Sequence, residues 1–185
     1  MRNLIFGINL TIDGCCDHTK STGDVEIHEY FTDLIRESDL LIYGRKTYQL
    51  MVPFWPDIAK DPSGQTQSTI NFAQTFNAVD KLVFSRSLSS VEDKNTRLVH
   101  TGLEEEIRKL KQAPGKNMMT GGVQLPSQLI QLGLVDEYHI VIHPVIAGEG
   151  RRFLLETILP KPIQVQLVSS KTFKSGGMAL HYVNA

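Results

Sequence analysis

The chain predicts an α/β fold: a mixed, mostly parallel sheet with helices on both faces, closed by an antiparallel hairpin. Three observations lead there. Apolar runs of strand length alternate with stretches of helical period from residue 3 to residue 132. Two of those runs end in glycine directly before a helix, at Gly44 and at Gly121-Gly122. After Gly133 the pattern turns to strand alternation and ends in runs over 163–173 and 178–183, joined by the turn-forming residues 174–177.

Residues 3–10 (NLIFGINL) make the first strand, and the polar stretch 11–24 is a loop longer than a structural turn needs. Over 25–37 the residues Val25, Ile27, Tyr30, Phe31, Leu34 and Ile35 form a helical stripe, with Asp24 as its cap. A strand over 39–43 follows at once, then a short helix from Arg45 ending near Pro53. The segment 53–68, with Pro53, Pro56, Pro62 and Gly64, is expected to hold little regular structure. Residues 81–84 form a strand ending in Ser85-Arg86, and 96–100 a further strand. The helix over 103–111 carries Thr101 and Glu104 as a capping box. A strand over 117–120 runs through the glycine pair into a helix over 123–132 with Pro126 in its first turn, and 137–146 is a strand.

With 185 residues, 41% hydrophobic and 21% charged, and no repeat or shift of composition, residues 1–185 form a single domain. Nineteen basic against twenty acidic residues leave a formal net charge of −1, which argues against nucleic acid or an anionic membrane as the main partner. No leader pattern and no apolar run of spanning length is visible, so the expected compartment is the cytoplasm. The two cysteines, Cys15 and Cys16, are adjacent; a disulfide between them would be strained and would close almost no loop. With His18 they hint at a metal-dependent hydrolase or deaminase, but no second ligand cluster accompanies them. His139 and His143 lie four apart on one strand face, and two histidines alone do not make a metal site, so none is expected.

The chemistry concentrates where strands meet helices. At Gly44-Arg45-Lys46-Thr47 an anion can approach the backbone closely, Thr47 can donate its hydroxyl to a phosphate oxygen, and Arg45 can clamp a second phosphate. Read blandly, the same residues are a turn glycine, a surface base and a helix-start threonine. Ser85-Arg86 and Gly121-Gly122 repeat this form after two other strands, and together the three junctions would ring a dinucleotide. Arg45 and Arg86 suit an extra phosphate on the adenosine ribose, which favours NADPH over NADH. No Gly-x-Gly-x-x-Gly turn is present.

The order of these motifs resembles the dihydrofolate reductase superfamily, and within it the reductase domain that forms the C-terminal half of bacterial riboflavin-biosynthesis deaminase-reductases, here as a stand-alone domain. The resemblance rests on Thr11-Ile12-Asp13-Gly14, Gly44-Arg45-Lys46-Thr47-Tyr48, Val83-Phe84-Ser85-Arg86, Gly121-Gly122, and Gly133-Leu134-Val135-Asp136-Glu137 leading to His143-Pro144-Val145-Ile146-Ala147-Gly148-Glu149-Gly150. It implies a dihydrofolate-reductase-like three-layer fold of about eight strands, NADPH across the strand ends, and a homodimer. By matching position, Arg45 and Thr47 contact the 2'-phosphate and pyrophosphate, and Ser85 with Arg86 the adenosine phosphate. Gly121 and Gly122 pack on the pyrophosphate through a cis bond, and the loop bearing Asp13 and Gly14 closes over the nicotinamide.

Folate-reducing members place a carboxylate early in the first long helix, where this chain has Ile27 or His28. Glu26 and Glu29 are near, but one residue turns a helical side chain by about 100°. This points away from folate and toward another small heterocyclic, imine or carbonyl acceptor, riboflavin-precursor-like or pterin-like. The remaining candidates each carry two readings. Asp13 holds the acceptor or closes its own loop with an Asx turn, and His28 donates a proton or is an ordinary helix histidine. Asn9 reaches the acceptor or finds a partner within the sheet. Trp55 walls a flat ring or anchors its loop, while Arg151, beside Arg152, grips a substrate phosphate or is simply exposed. The function expected is an NADPH-dependent reductase with catalytic candidates Asp13, His28 and Glu26. The rival is a nucleotide-binding module that has lost its chemistry and serves as a sensor or partner subunit.

Overall fold

A computed structural model describes residues 1–21, 23–154 and 158–185. Eight strands form one sheet: β1 (Leu4–Thr11), β2 (Ser38–Gly44), β3 (Asp80–Phe84), β4 (Thr96–Val99), β5 (Asn117–Thr120), β6 (Glu137–His143), β7 (Val165–Thr172) and β8 (Met178–Asn184), in the spatial order β4-β3-β2-β5-β1-β6-β8-β7. Pairings from β4 across to β6 are parallel, and β6–β8 and β8–β7 are antiparallel. The mixed sheet and terminal hairpin expected from the sequence are both present. Strand β6 stops at His143, short of the predicted residue 146.

The central strands bury both faces, and each face has its own core. In β1, Leu4, Phe6 and Ile8 pack with Ile107 of α5 (Leu103–Gln112) and with Leu125 and Leu129 of α6 (Gln124–Gln131). Ile5, on the opposite face, packs with Ile27, Phe31, Leu34 and Ile35 of α1 (Val25–Arg36). Gly7 shares that second face: a Cβ there would stand 2.6 Å from the end of Met119 and 3.1 Å from the Phe31 ring, so its bareness lets both side chains close over β1. Asp24 caps α1 as expected, accepting from the backbone N–H groups of Glu26 at 2.7 Å and Ile27 at 3.3 Å.

The link from β2 to β3 departs most from the prediction. After α2 (Arg45–Met51) come α3 (Phe54–Lys60), inside the segment expected to be irregular, and α4 (Gln67–Ala78), which periodicity did not reveal. Pro53 and Pro56 stand at the start of α3, where a missing N–H costs nothing. Helix α4 is built largely from Ser, Thr, Asn and Gln, weak or neutral formers. Its stability comes from Thr66, which caps Thr69 N, and from Phe72 and Phe76, buried in the α1 core. The capping box predicted for α5 is likewise not formed: Gly102, at φ 71°, occupies the cap position with no side-chain bond. No helix among the described residues is long and apolar enough to cross a membrane.

Two loops meet over the carboxyl ends of β1 and β6. Asp13 joins them: its Oδ1 accepts from the Thr11 hydroxyl at 2.6 Å and from Ala147 N at 3.0 Å, while Oδ2 accepts from Gly148 N at 3.0 Å and from Arg152 at 3.4 Å. Cys15 bridges to Arg152, and Cys16 N donates to Arg151 O at 2.8 Å. The Thr11 hydroxyl, then the Ala147 amide, hold the Asp13 carboxyl well below the usual carboxylate range. A depressed folded-state pKa contributes stability above the unfolded value of about 3.9 and loses it as pH falls toward the folded value. Asp13→Asn is therefore expected to lower Tm at neutral pH, with a deficit that shrinks as pH is taken below about 4. Thermal melts of both proteins across that range check this, and a deficit independent of pH contradicts it.

Candidate active site

In an open parallel sheet, ligands gather beyond the carboxyl ends of the strands where strand order reverses. Here the chain runs outward from β1 to β2, β3 and β4, then returns to insert β5 between β2 and β1, so the crevice lies beyond β2, β5 and β1. Of the junctions singled out from the sequence, Gly44 and Gly121-Gly122 border it, and Ser85-Arg86 follows β3, the next strand outward, whose Phe84 pairs with Gly44. Gly44 ends β2 and begins α2 with no side-chain cap, so the first N–H groups of that helix have no side-chain acceptor from the cap residue. A Cβ on Gly44 would meet Leu125 at 3.5 Å.

Gly122 has φ 86°, and a Cβ on it would stand 2.2 Å from the Thr47 hydroxyl oxygen. Both its backbone conformation and its surroundings therefore demand glycine. The cis bond implied for Gly121–Gly122 is not formed: no cis peptide occurs among the described residues, and the turn is made by the left-handed Gly122 instead. Thr47 is half-buried against this glycine, while Arg45 and Arg86 are exposed; Arg45 donates to Gln49 Oε1 at 3.4 Å. Ser85 is buried, and its hydroxyl oxygen accepts from Ser87 N and Leu88 N, which shapes the turn that presents Arg86. Gly14, at φ 79°, lies in the Asp13 loop beside Arg152.

On the α1 side of the same strand ends, a second set of polar groups assembles. Asn9 of β1 accepts through Oδ1 from His143 Nε2 at 3.0 Å. The β1–β6 register, Asn9 with Val141 and Thr11 with His143, places them on one face. Burial pushes the His143 pKa down, partly offset by the charge of Asp24, and the same two effects act in the same order on His28. Asp24 is thus within electrostatic reach of both imidazoles. Burial alone would raise its own pKa, but hydrogen bonds from Ser175 and from Ile27 N and Glu26 N outweigh it, and the pKa is lowered. His28 lies edge-on to Trp55, ring centres 6.0 Å apart, and 5.9 Å from Phe72. Trp55, His28, Asp24, His143 and Asn9 are thereby linked in series, by a ring contact, by the charge of Asp24 acting on both imidazoles, and by a hydrogen bond.

Three candidates stand apart from that set. Asp13 is bound into the loop junction, and Glu26 accepts through Oε2 from Lys174 N at 2.7 Å, tying the start of α1 to the β7–β8 turn. Arg151 is exposed and meets Cys16 through its carbonyl. Both cysteines are free thiols, and Cys15, Cys16 and His18 form no metal-ligating group among the described residues. Sequence reasoning missed Asp24 as more than a cap and set His143 beside His139 rather than Asn9. The available signal was positional, since His143 directly precedes Pro144 at the end of a strand.

Comparison with known proteins agrees with this fold. The family model of the RibD C-terminal domain matches residues 2–179. The uncharacterized protein YyaP of Bacillus subtilis is 31% identical over 98% of this chain and 94% of its own length. In fold, the diaminohydroxyphosphoribosylaminopyrimidine deaminase/5-amino-6-(5-phosphoribosylamino)uracil reductase of Thermotoga maritima superposes with a TM-score of 0.71 at 14% identity, over 100% of this chain and 57% of that one. The dihydrofolate reductase of Enterococcus faecalis, complexed with NADP(H), gives 0.63 at 12% identity over 98% of this chain and 96% of that one. The fold is dihydrofolate-reductase-like, and the chain belongs to the RibD C-terminal domain family.

Proposed function

We propose that this protein is an NADPH-dependent reductase that acts on a small planar heterocycle, imine or carbonyl compound of riboflavin-precursor or pterin type. The observation that carries the reading is the close approach of Gly122 to Thr47: a cradle of bare backbone beside a hydroxyl and a helix start, which any side chain at residue 122 would fill. This surface fits a pyrophosphate. Arg45 and Arg86, both exposed, are the groups for the 2'-phosphate, and Gly14 and Gly121 let the loop and strand backbones lie close to the cofactor. NADPH, when bound, supplies the hydride.

The acceptor lies against Asn9, Asp24, His28, Trp55 and His143. Asn9, oriented by His143, offers its amide group to the acceptor's edge, and Trp55 gives a flat apolar wall. His28 delivers the proton, with Asp24 favouring its charged form. Asp13 and Glu26 act as positioning residues through the backbone groups they hold, and Arg151 faces solvent where a substrate phosphate would enter. Pairing of a second copy along β7, an edge strand exposed over its whole length, gives the homodimer.

Three outcomes test this reading. NADPH is expected to bind with a dissociation constant below about 100 micromolar and NADH at least about tenfold more weakly. The Arg45→Ala/Arg86→Ala variant should erase that difference, and equal affinities in the unaltered protein would refute the 2'-phosphate assignment. Gly122→Ala is expected to lose NADPH binding while remaining folded by circular dichroism. Because the His28 pKa lies below its ordinary value, single-turnover hydride transfer should be fastest on the acid side of about 6.5 and fall as pH rises. His28→Phe should flatten that profile with NADPH binding retained. Tight cofactor binding with no oxidation across pterins and riboflavin precursors would favour the silent nucleotide-binding module instead.

A further inference from the structure

At the other end of β6, the reductase reading leaves a cluster of histidines unused. Sequence spacing sets His139 beside His143, but the antiparallel β6–β8 register sets it directly opposite His181. Glu137 lies two residues earlier on the same strand and therefore on the same face. His181 Nε2 is 3.0 Å from Glu137 Oε2, and His139 Nε2 is 3.7 Å from that same oxygen. Among the described residues this is the one group of three potential ligands whose donor atoms lie within 4.8 Å of one another.

The second observation is an orphan atom. His139 is only 6% exposed, and its Nε2, directed toward the other two side chains, has no hydrogen-bond partner among the described residues. Buried polar atoms are rarely left so, because the desolvation penalty goes uncompensated. The hydrogen bond between His181 and Glu137 accounts for the other two members and leaves this one over.

We propose that Glu137, His139 and His181 bind a divalent cation of the zinc class through Oε2 and the two Nε2 atoms. Two imidazoles and one carboxylate, with a fourth position for water, are a donor set that zinc accepts. Donor atoms around a tetrahedral zinc lie about 3.3 Å apart, close to the spacing seen here. The surrounding contacts are those a ligated set needs. The Tyr30 hydroxyl stands 2.6 Å from His139 Nδ1; in the Nδ1–H tautomer that metal binding requires, it accepts the ring N–H and leaves Nε2 its lone pair. Asn3 donates to the second oxygen of Glu137 at 2.7 Å.

The two rings stack with centres 4.1 Å apart and planes 19° from parallel, so both Nε2 atoms share one edge of the stack. Closing on a cation asks each ring for a rotation about its Cβ–Cγ bond. The site braces α1, through Tyr30, to the β6–β8 ladder. It is separate from the proposed reductase site: His139, its member nearest to His143 along β6, lies four residues away, roughly 13 Å of strand.

The test uses the full chain, stripped with a chelator, re-equilibrated with zinc ions and freed of excess. About one zinc per chain is expected, with at least a tenfold loss of affinity in His181→Gln and a smaller loss in Tyr30→Phe. The Cys15→Ser/Cys16→Ser variant should bind as tightly as the unaltered protein. Retention by His181→Gln, loss in the cysteine variant, or no zinc bound at micromolar concentration overturns the proposal. Should His181→Gln fail to fold, the cobalt(II) spectrum of the unaltered protein decides. Absorption from nitrogen and oxygen ligands alone supports the site, and a thiolate charge-transfer band overturns it.

Discussion

The structure depends on the placement of β1 between β5 and β6, hydrogen-bonded in parallel to both. A strand so held is closed to water at both edges and buried on both faces, so its residues must satisfy two cores at once. Leu4, Phe6 and Ile8 serve the α5–α6 side, while Ile5 and the bare Gly7 admit Phe31 and Met119 on the α1 side. The same alternation brings Asn9 to the α1 face just as the strand reaches its carboxyl end. A one-residue slip would turn Asn9 into the opposite core and lose both its His143 partner and its place in the candidate site.

From that strand the two halves of the proposed reductase site, one proposed for the cofactor and one for the acceptor, diverge in kind. The cofactor half is made of backbone: helix starts, glycines and one hydroxyl, held where β2 and β5 end. Its tolerances are steric, and at Gly122 they leave no room for a single carbon. The acceptor half is made of side chains from β1, α1, α3 and β6, and its tolerances are electrostatic. Asp24 acts as helix cap, as acceptor for Ser175, and as the charge that moderates the burial of two imidazoles. The loops above both halves are joined through Asp13, whose four hydrogen bonds span residues 11 to 152.

Much of this architecture was legible in the residues. Leu40-Leu41-Ile42-Tyr43 reads as a strand buried on both sides, and it is one. The stripe from Val25 to Ile35 reads as a helix, and it is one; its apolar residues from Ile27 onward pack on the core, while Val25 is exposed. Helix α4 was not legible, because Ser, Thr and Asn carry little helical preference and the docking of Phe72 and Phe76 against α1 makes the helix worth forming. The capping box at Thr101 failed for a related reason: a short motif is a local option, and Gly102 in its left-handed conformation displaced it.

By itself, the sequence determined the fold class, the alternation of its elements and the position of the glycine junctions where β2 and β5 end. These follow from periodicity and from glycine, which act over a few neighbouring residues. Only the tertiary structure decided which side chains share a site. It withdrew Asp13 and Glu26 into loop contacts, joined Asn9 to His143 across 134 residues, and gave His139 its partner in His181. Those pairings are set by strand order and register, which depend on how distant surfaces bury one another, and no local pattern of residues encodes that.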